Sequence, residues 1–325
     1  MARRTLAWLA VLLVIAFLVP GCSKQTEADV QTSVQQTDED TAQSADVRKT
    51  VLYFRDASGY LAPVMRELPV EEGIAKAALK CLVAGTDQDE KLTTLGVAAP
   101  VPAGATFDLD IAEGKATVDI RQGEKCKDKV SEQAMVGAVV NTLLGFATVE
   151  TVAVRIDGQA VSTLPNGATV AESYAEPVLN VEPVGAPDTL DGKLELCFAN
   201  STGKLLVPVY RVAGDDVNLA NAIAEMAAPA EGTGLTSILP PGCEVLSAKL
   251  GDDGVATVEF SSEFSSVSDS PALEAMTLRS LNVVCEQFSG FKTMKILVNG
   301  EAFEPTVSTI AGQGATGDDY LNYYD

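Results

Sequence analysis

The chain has 325 residues, enough for two domains of ordinary size, and its 46% hydrophobic content is that of folded globular domains rather than of a disordered chain. Its 23 basic and 45 acidic side chains give a formal net charge of −22, which repels phosphate backbones and anionic headgroups and excludes nucleic acid as an expected partner. There is no histidine, which removes Ser-His and Cys-His nucleophile pairs, His-ligated zinc and haem, and the side chain most used for proton transfer near neutrality. The chain therefore reads as a non-enzyme with no catalytic residue, metal site or cofactor.

The first 22 residues read as an address. Arg3 and Arg4 precede an unbroken apolar run over 6–19, too short for a hydrocarbon core that needs roughly 20 residues. The run ends in Leu18-Val19-Pro20-Gly21-Cys22, where a small residue followed by Cys resembles the bacterial lipobox. That resemblance implies a signal peptide over 1–22 and a Cys22 that is diacylated, carries palmitate and becomes the new N-terminus. The mature chain would then be held by lipid on the extracytoplasmic face of the cell membrane. The other cysteines are Cys81, Cys126, Cys197, Cys243 and Cys285, with no C-x-x-C among them, so a zinc cluster is not expected. Cys81 and Cys126 are a candidate disulfide, and most of these residues read as buried thiols packing like small apolar side chains.

Residues 23–49 are rich in Gln, Thr, Ser, Asp and Glu and cannot bury a core, which predicts a disordered tether reaching at most roughly 90 Å. Asp38-Glu39-Asp40 within it reads as a solvated charge run rather than a calcium site. A strand is expected at 50–54, then a turn at 57–59 and a second extended piece over 61–68. Glu71-Glu72 opens a helix, where acidic side chains suit the positive end of the dipole, with Ile74, Ala78, Cys81 and Leu82 on one face. Alternation over 106–111 and 116–120 around Glu113-Gly114 predicts a hairpin, followed by a longer helix at about 128–145. Val152, Val154 and Ile156 form a last strand, closed by the Asp157-Gly158 turn. Pro and Gly mark a linker over 172–192. Beyond it, helices at 217–226 and 272–288 and a strand at 293–298 occupy matching places, with Asp215-Asp216 as a second N-terminal charge pair. Residues 305–325 read as a flexible tail.

These elements belong to an internal repeat. Leu52-Tyr53-Phe54 recurs as Leu196-Cys197-Phe198, Gly59 as Gly203, and Pro63 and Arg66 as Pro208 and Arg211. Gly114-Lys115-Ala116-Thr117-Val118-Asp119 matches Gly254-Val255-Ala256-Thr257-Val258-Glu259, and Val154-Arg155-Ile156-Asp157-Gly158 matches Ile296-Leu297-Val298-Asn299-Gly300. The spacing of partners stays between 138 residues (Pro102 to Pro240) and 145 (Pro63 to Pro208), in unbroken order. The expected fold class is α+β: two tandem copies, 50–171 and 193–304, of a small two-layer domain in which two helices pack on a mostly antiparallel sheet.

Motifs that could carry chemistry have local explanations. Ser201-Thr202-Gly203-Lys204 has the S-x-x-K spacing of serine acylases, but it falls in the first hairpin turn of copy two rather than at a helix start. Asp252-Asp253 lies in a turn and Asp318-Asp319 in the tail, beside Tyr320, Tyr323 and Tyr324. No G-x-S-x-G, P-loop or dinucleotide fingerprint is present.

The chain resembles the GerM-type sporulation and germination domain, the GerMN domain, over about 50–160 and 193–303. The resemblance is carried by Val51-Leu52-Tyr53-Phe54 with the Gly59 turn, Leu239-Pro240-Pro241-Gly242-Cys243, the Ala-Thr-Val-Asp/Glu strand, Val140-Asn141-Thr142-Leu143, and the closing Asp-Gly or Asn-Gly. Copy two has no counterpart of the Asn-Thr-Leu run. The resemblance implies a tandem-domain lipoprotein acting as an interaction or assembly module in spore formation or germination, with an envelope or sporulation-complex protein, or peptidoglycan, as partner. A lipid-anchored receptor for a small ligand, with a cleft between the copies, is the alternative. A carboxylate-dependent wall hydrolase is the third reading.

Overall fold

The computed structural model describes residues 47–70, 73–182, 191–214, 217–307 and 322–323. The expected signal peptide with Cys22, the tether before Val47, Glu71-Glu72, Asp215-Asp216 and most of the tail lie outside them.

Copy one opens on strands β1 (Val47–Arg55) and β2 (Leu61–Pro69), paired antiparallel from Val47↔Pro69 to Arg55↔Leu61. β1 begins inside the stretch read as tether, because β2 runs on to Pro69 and supplies partners for Val47, Arg48 and Lys49. Asp56 builds the turn between them: its Oδ1 accepts the N–H groups of Ser58 and Tyr60, both at 2.9 Å. Gly59 completes it at φ 92°, with Val130 Cγ1 only 2.1 Å from where a Cβ would lie, so any other residue would be both strained and crowded. Helix α1 (Ile74–Lys80) buries Ala75, Ala78 and Leu79, with Leu82 beyond its end. This face is rotated slightly from the expected one, and Ile74 and Cys81 are only half-buried. Helix α2 (Asp89–Thr94) was not expected: its sequence is polar and only Leu92 turns inward, so it has no apolar period to read.

Strands β3 (Thr106–Ala112) and β4 (Lys115–Arg121) form the expected hairpin, in register from Thr106↔Arg121 to Ala112↔Lys115. Glu113 at φ 51° and Gly114 at φ 77° give it the two positive-φ residues that match the twist of the strands. Helix α3 (Lys129–Leu144) starts on a capping box in which Asp128 accepts the Ser131 N–H at 2.7 Å. β5 (Thr151–Ile156) returns parallel to β4, and Asp157 (φ 49°) and Gly158 (φ 81°) fold the chain back into β6 (Gln159–Ala160).

A short strand, β7 (Val181–Glu182), lies inside the stretch read as linker. Copy two then repeats the plan with β8 (Lys193–Ala199), β9 (Leu206–Val212), helix α4 (Leu219–Glu225), β10 (Val245–Leu250) and β11 (Val255–Phe260). In place of the approach to α3, a 3₁₀ helix (Ser262–Asp269) stacks Phe264 on Phe260 with centroids 4.2 Å apart. Helix α5 (Pro271–Glu286) is capped by Ser270, and β12 (Thr293–Val298) lies parallel to β11. Asn299 and Gly300 make the turn into β13 (Glu301–Ala302). In the stretch read as a flexible tail, Asn322 and Tyr323 form β14, which corrects that reading for these two residues: their partner is β2, far back in copy one.

The architecture is the expected α+β, and the sheet of each copy is split into a hairpin and a four-stranded piece. The strand orders are β1-β2-β14, β3-β4-β5-β6, β7-β9-β8 and β10-β11-β12-β13. α3 packs on β1, and α5 on β8. One contiguous apolar core includes Phe54, Leu79 and Leu143 of copy one and Phe198, Phe260 and Leu281 of copy two. Both copies fall in one compact unit, Ala45–Asp325.

Two buried carboxylates repeat with the fold. Glu132, 2% exposed, accepts the Asn166 N–H at 2.8 Å, the Asn166 amide at 3.1 Å and the Ala168 N–H at 3.2 Å. Its counterpart Glu274, fully buried, accepts the Thr306 N–H at 2.7 Å and the Thr306 hydroxyl. Each fastens the long helix of its copy to the segment that follows the last hairpin.

Candidate functional site at the junction of the copies

A set of side chains that bind backbone across the two copies lies where the hairpins β1-β2 and β8-β9 meet. Pro63 and Pro208 sit at matching places in β2 and β9 and have no N–H to give, and the two strands lie in separate sheets. Two asparagine side chains bridge them. Asn180 accepts the Leu61 N–H at 2.8 Å and donates to the Leu61 carbonyl at 2.8 Å and the Pro208 carbonyl at 2.7 Å. Asn322 accepts the Leu206 N–H at 2.7 Å and donates to the Leu206 carbonyl at 2.8 Å and the Pro63 carbonyl at 2.7 Å.

The two arrangements are reciprocal. After copy one the chain crosses over, and β7 pairs parallel with β9 through Val181↔Tyr210 and Glu182↔Arg211. After copy two it crosses back, and β14 pairs parallel with β2 through Asn322↔Val64 and Tyr323↔Met65. Each copy thus completes the hairpin of the other, with an asparagine closing the seam on both sides. Leu179-Asn180-Val181 and Leu321-Asn322-Tyr323 are a further repeat pair at the same spacing as Glu132 and Glu274.

The hairpin turns make the same exchange. The Ser58 hydroxyl donates to the Thr233 carbonyl of copy two. The matching turn of copy two, which holds the acylase-spaced residues, does so through Asn200, Thr202 and Lys204. There the Asn200 amide donates to the Leu95 carbonyl at 2.6 Å, Thr202 Oγ1 to the same carbonyl at 2.9 Å and Lys204 Nζ to the Thr94 carbonyl at 3.0 Å. Lys204 is thus turned to the backbone of copy one. Asn141, from the Asn-Thr-Leu run that copy two lacks, pairs with the backbone of Val178 through both amide atoms, at 2.9 and 2.7 Å, and so sets the position of Asn180.

Arg211 carries the ion pairs of the junction among the described residues. Arg211 Nη2 lies 2.9 Å from Glu182 Oε2, and its Nη1 contacts Glu225. The guanidinium is 5.6 Å from the centroid of the Phe198 ring, as Arg66 is 5.8 Å from that of Phe54, which explains why both arginines recur with their phenylalanines. Tyr60 donates to Glu182 at 3.2 Å, and burial together with that carboxylate pushes its phenol up to about 12.

A cavity of about 210 Å³ opens against these strands, lined among others by Tyr53, Glu195, Cys197 and Tyr210. Burial raises the Glu195 carboxyl above its usual range, against the opposing hydrogen bond from Tyr210. Because its folded pKa lies above the unfolded value, Glu195 contributes full stability below the unfolded pKa, near 4.3, and loses it as pH rises through the folded pKa. Glu195→Gln is therefore expected to raise the melting temperature at pH 7 and leave it unchanged at pH 4. Equal shifts at both pH values would show that the charge is not the cause.

Burial holds the thiols of Cys81, Cys126, Cys197, Cys243 and Cys285 above their usual range, the reverse of what a nucleophilic cysteine needs. All five are free, so the candidate Cys81–Cys126 bridge is not formed, and the Cys126 sulfur instead lies 3.9 Å from that of Met135. Asp253 accepts the Val255 N–H at 3.0 Å, as a turn residue does. Among the described residues no three His, Cys, Asp or Glu side chains gather as a metal site, and no helix is long and apolar enough to cross a membrane. Asp318-Asp319, Tyr320 and Tyr324 lie outside the described residues, as does Cys22.

The fold and junction define a tandem α+β protein whose two copies are clasped together by side chains that bind backbone. Residues 51–162 and 195–304 match the Germane family, sporulation and spore germination. The chain belongs to this family. It is 27% identical over 296 residues to the spore germination protein GerM of Bacillus subtilis, covering 87% of this chain and 80% of that one. The solved structure of the tandem GerMN domains of the sporulation protein GerM from Bacillus subtilis shares the fold, with a TM-score of 0.60 at 23% identity over 86% of this chain and all of that one.

Proposed function

We propose that the chain is a non-enzymatic lipoprotein, anchored through Cys22 on the extracytoplasmic face of the cell membrane, that acts as an assembly module in spore formation or germination. The observation that carries this reading is that both copies match the Germane family while their junction is built from backbone-binding groups. The Bacillus subtilis relative, named as a spore germination protein, supports the cellular role. The lipobox-like Gly21-Cys22 supports the anchor, and the partner is an envelope or sporulation-complex protein or peptidoglycan. Deleting the gene is expected to reduce heat-resistant spores or their germination, with rescue by the wild-type gene and none by Cys22→Ala. Normal spore counts and germination after deletion would overturn the role, and full rescue by Cys22→Ala would overturn the anchor.

The cavity beside Glu195 and Tyr210 favours a second reading, a lipid-anchored receptor for a small ligand. That reading predicts a ligand-dependent rise in melting temperature. Loss of the rise in Glu195→Gln would locate the ligand there, and a screen without any rise would remove the reading.

A further inference from the structure

We propose that the outer edge of β2, with the start of β9 beside it, is a strand-acceptor site for the Asn322-Tyr323 strand of a second copy of this chain. In the closed molecule the chain's own Asn322 and Tyr323 fill this site. They are recognised through backbone: parallel pairing with Val64 and Met65, and three amide hydrogen bonds to Leu206 and Pro63. Asn322 is 8% exposed, so the amide is bound in a built pocket rather than laid on a surface. Recognition of this kind requires the sequence of the strand and not its covalent continuity with the acceptor.

Among the described residues the two reciprocal clasps differ in how they are held. Asn180 is positioned by the Asn141 side chain, which grips Val178 two residues upstream. At the matching place in α5 stands Val283, whose side chain has no amide to offer the C-terminal clasp. The C-terminal strand is therefore the exchangeable one. It is separated from Val307 by residues 308–321, enough chain to reach roughly 46 Å when extended. A segment on its own chain competes at an effective concentration on the order of millimolar, so a dilute molecule closes on itself and a crowded one exchanges strands. Exchange between two chains closes a dimer when it is mutual and runs on when it passes to a third.

This inference rests on the junction geometry alone. Its test needs neither a membrane nor a spore, so its failure is distinguishable from failure of the proposed function. The chain of residues 23–325 is prepared as wild type and as Asn322→Ala, and a fluorescent peptide of residues 318–325 is titrated into each. The Asn322→Ala chain is expected to take the peptide saturably and at least tenfold more tightly than wild type, and a peptide carrying Asn322→Ala is expected not to bind. Sedimentation of the wild type at rising concentration is expected to show a dimer that excess peptide dissolves. Absence of binding to Asn322→Ala, equal binding of both peptides, or a wild-type chain that stays monomeric up to millimolar concentration would each overturn the proposal.

Discussion

Asn180→Ala is expected to lower the stability of the two-copy unit by about 3 kcal/mol, because it strips partners from one N–H and two carbonyls at a buried seam. For a unit of this size that corresponds to a fall in melting temperature of roughly 5 °C. Asn180→Asp separates the bonds from mere bulk. The carboxylate keeps an oxygen for the Leu61 N–H but sets negative charge against the carbonyls of Leu61 and Pro208, so it is expected to cost more than alanine at neutral pH. Thermal and urea denaturation of the two variants measure this, and an aspartate variant as stable as wild type would show that the amide donors do not hold the seam.

Glu132→Ala is expected to have an effect at least as large, about 4 kcal/mol, since bonds to a charged acceptor are worth more than neutral ones and three donors lose theirs together. The loss would read as a fall in melting temperature of roughly 7 °C. Glu132→Gln keeps one acceptor oxygen and turns an NH₂ group towards a donor, so it should recover only part of the loss. A surface-like change, within about 0.5 kcal/mol, would mean that the segment around Asn166 and Ala168 is held by packing alone.

The duplicated plan was legible in the sequence because apolar alternation and turn residues are local signals. Glu113-Gly114, Asp157-Gly158 and Asn299-Gly300 all adopt positive φ at both positions, as hairpin turns of this type require. Asp128 announced the start of α3 for the same reason, since its side chain caps the helix within three residues. What sequence reasoning missed is tertiary. Glu132 and Glu274 look like solvated charges on their helices, and only the segments ending at Ala168 and Thr306 reveal them as buried. α2 went unread because six polar-rich residues with one inward Leu92 carry no period.

The junction was the larger omission. Asn180 sits among Pro and Gly residues that read as linker, and Asn322 among acidic and aromatic residues that read as tail. The signal that could have found them was the repeat itself: the Leu-Asn pair at 179–180 recurs at 321–322, in step with the rest of the duplication. Pro63 and Pro208 were visible as a repeated pair, but their meaning depends on which strand faces them. A proline in a strand predicts a broken ladder edge and cannot say that an amide from the other copy will mend it.

The central claim is that the copies fold as one unit because each completes the other. Differential scanning calorimetry of the chain of residues 23–325 tests it most directly. The account predicts a single transition whose calorimetric and van't Hoff enthalpies agree, broadened or split when Asn180→Ala and Asn322→Ala are combined. Two separate transitions in the wild-type chain would contradict it, and would make the copies independent domains that merely touch.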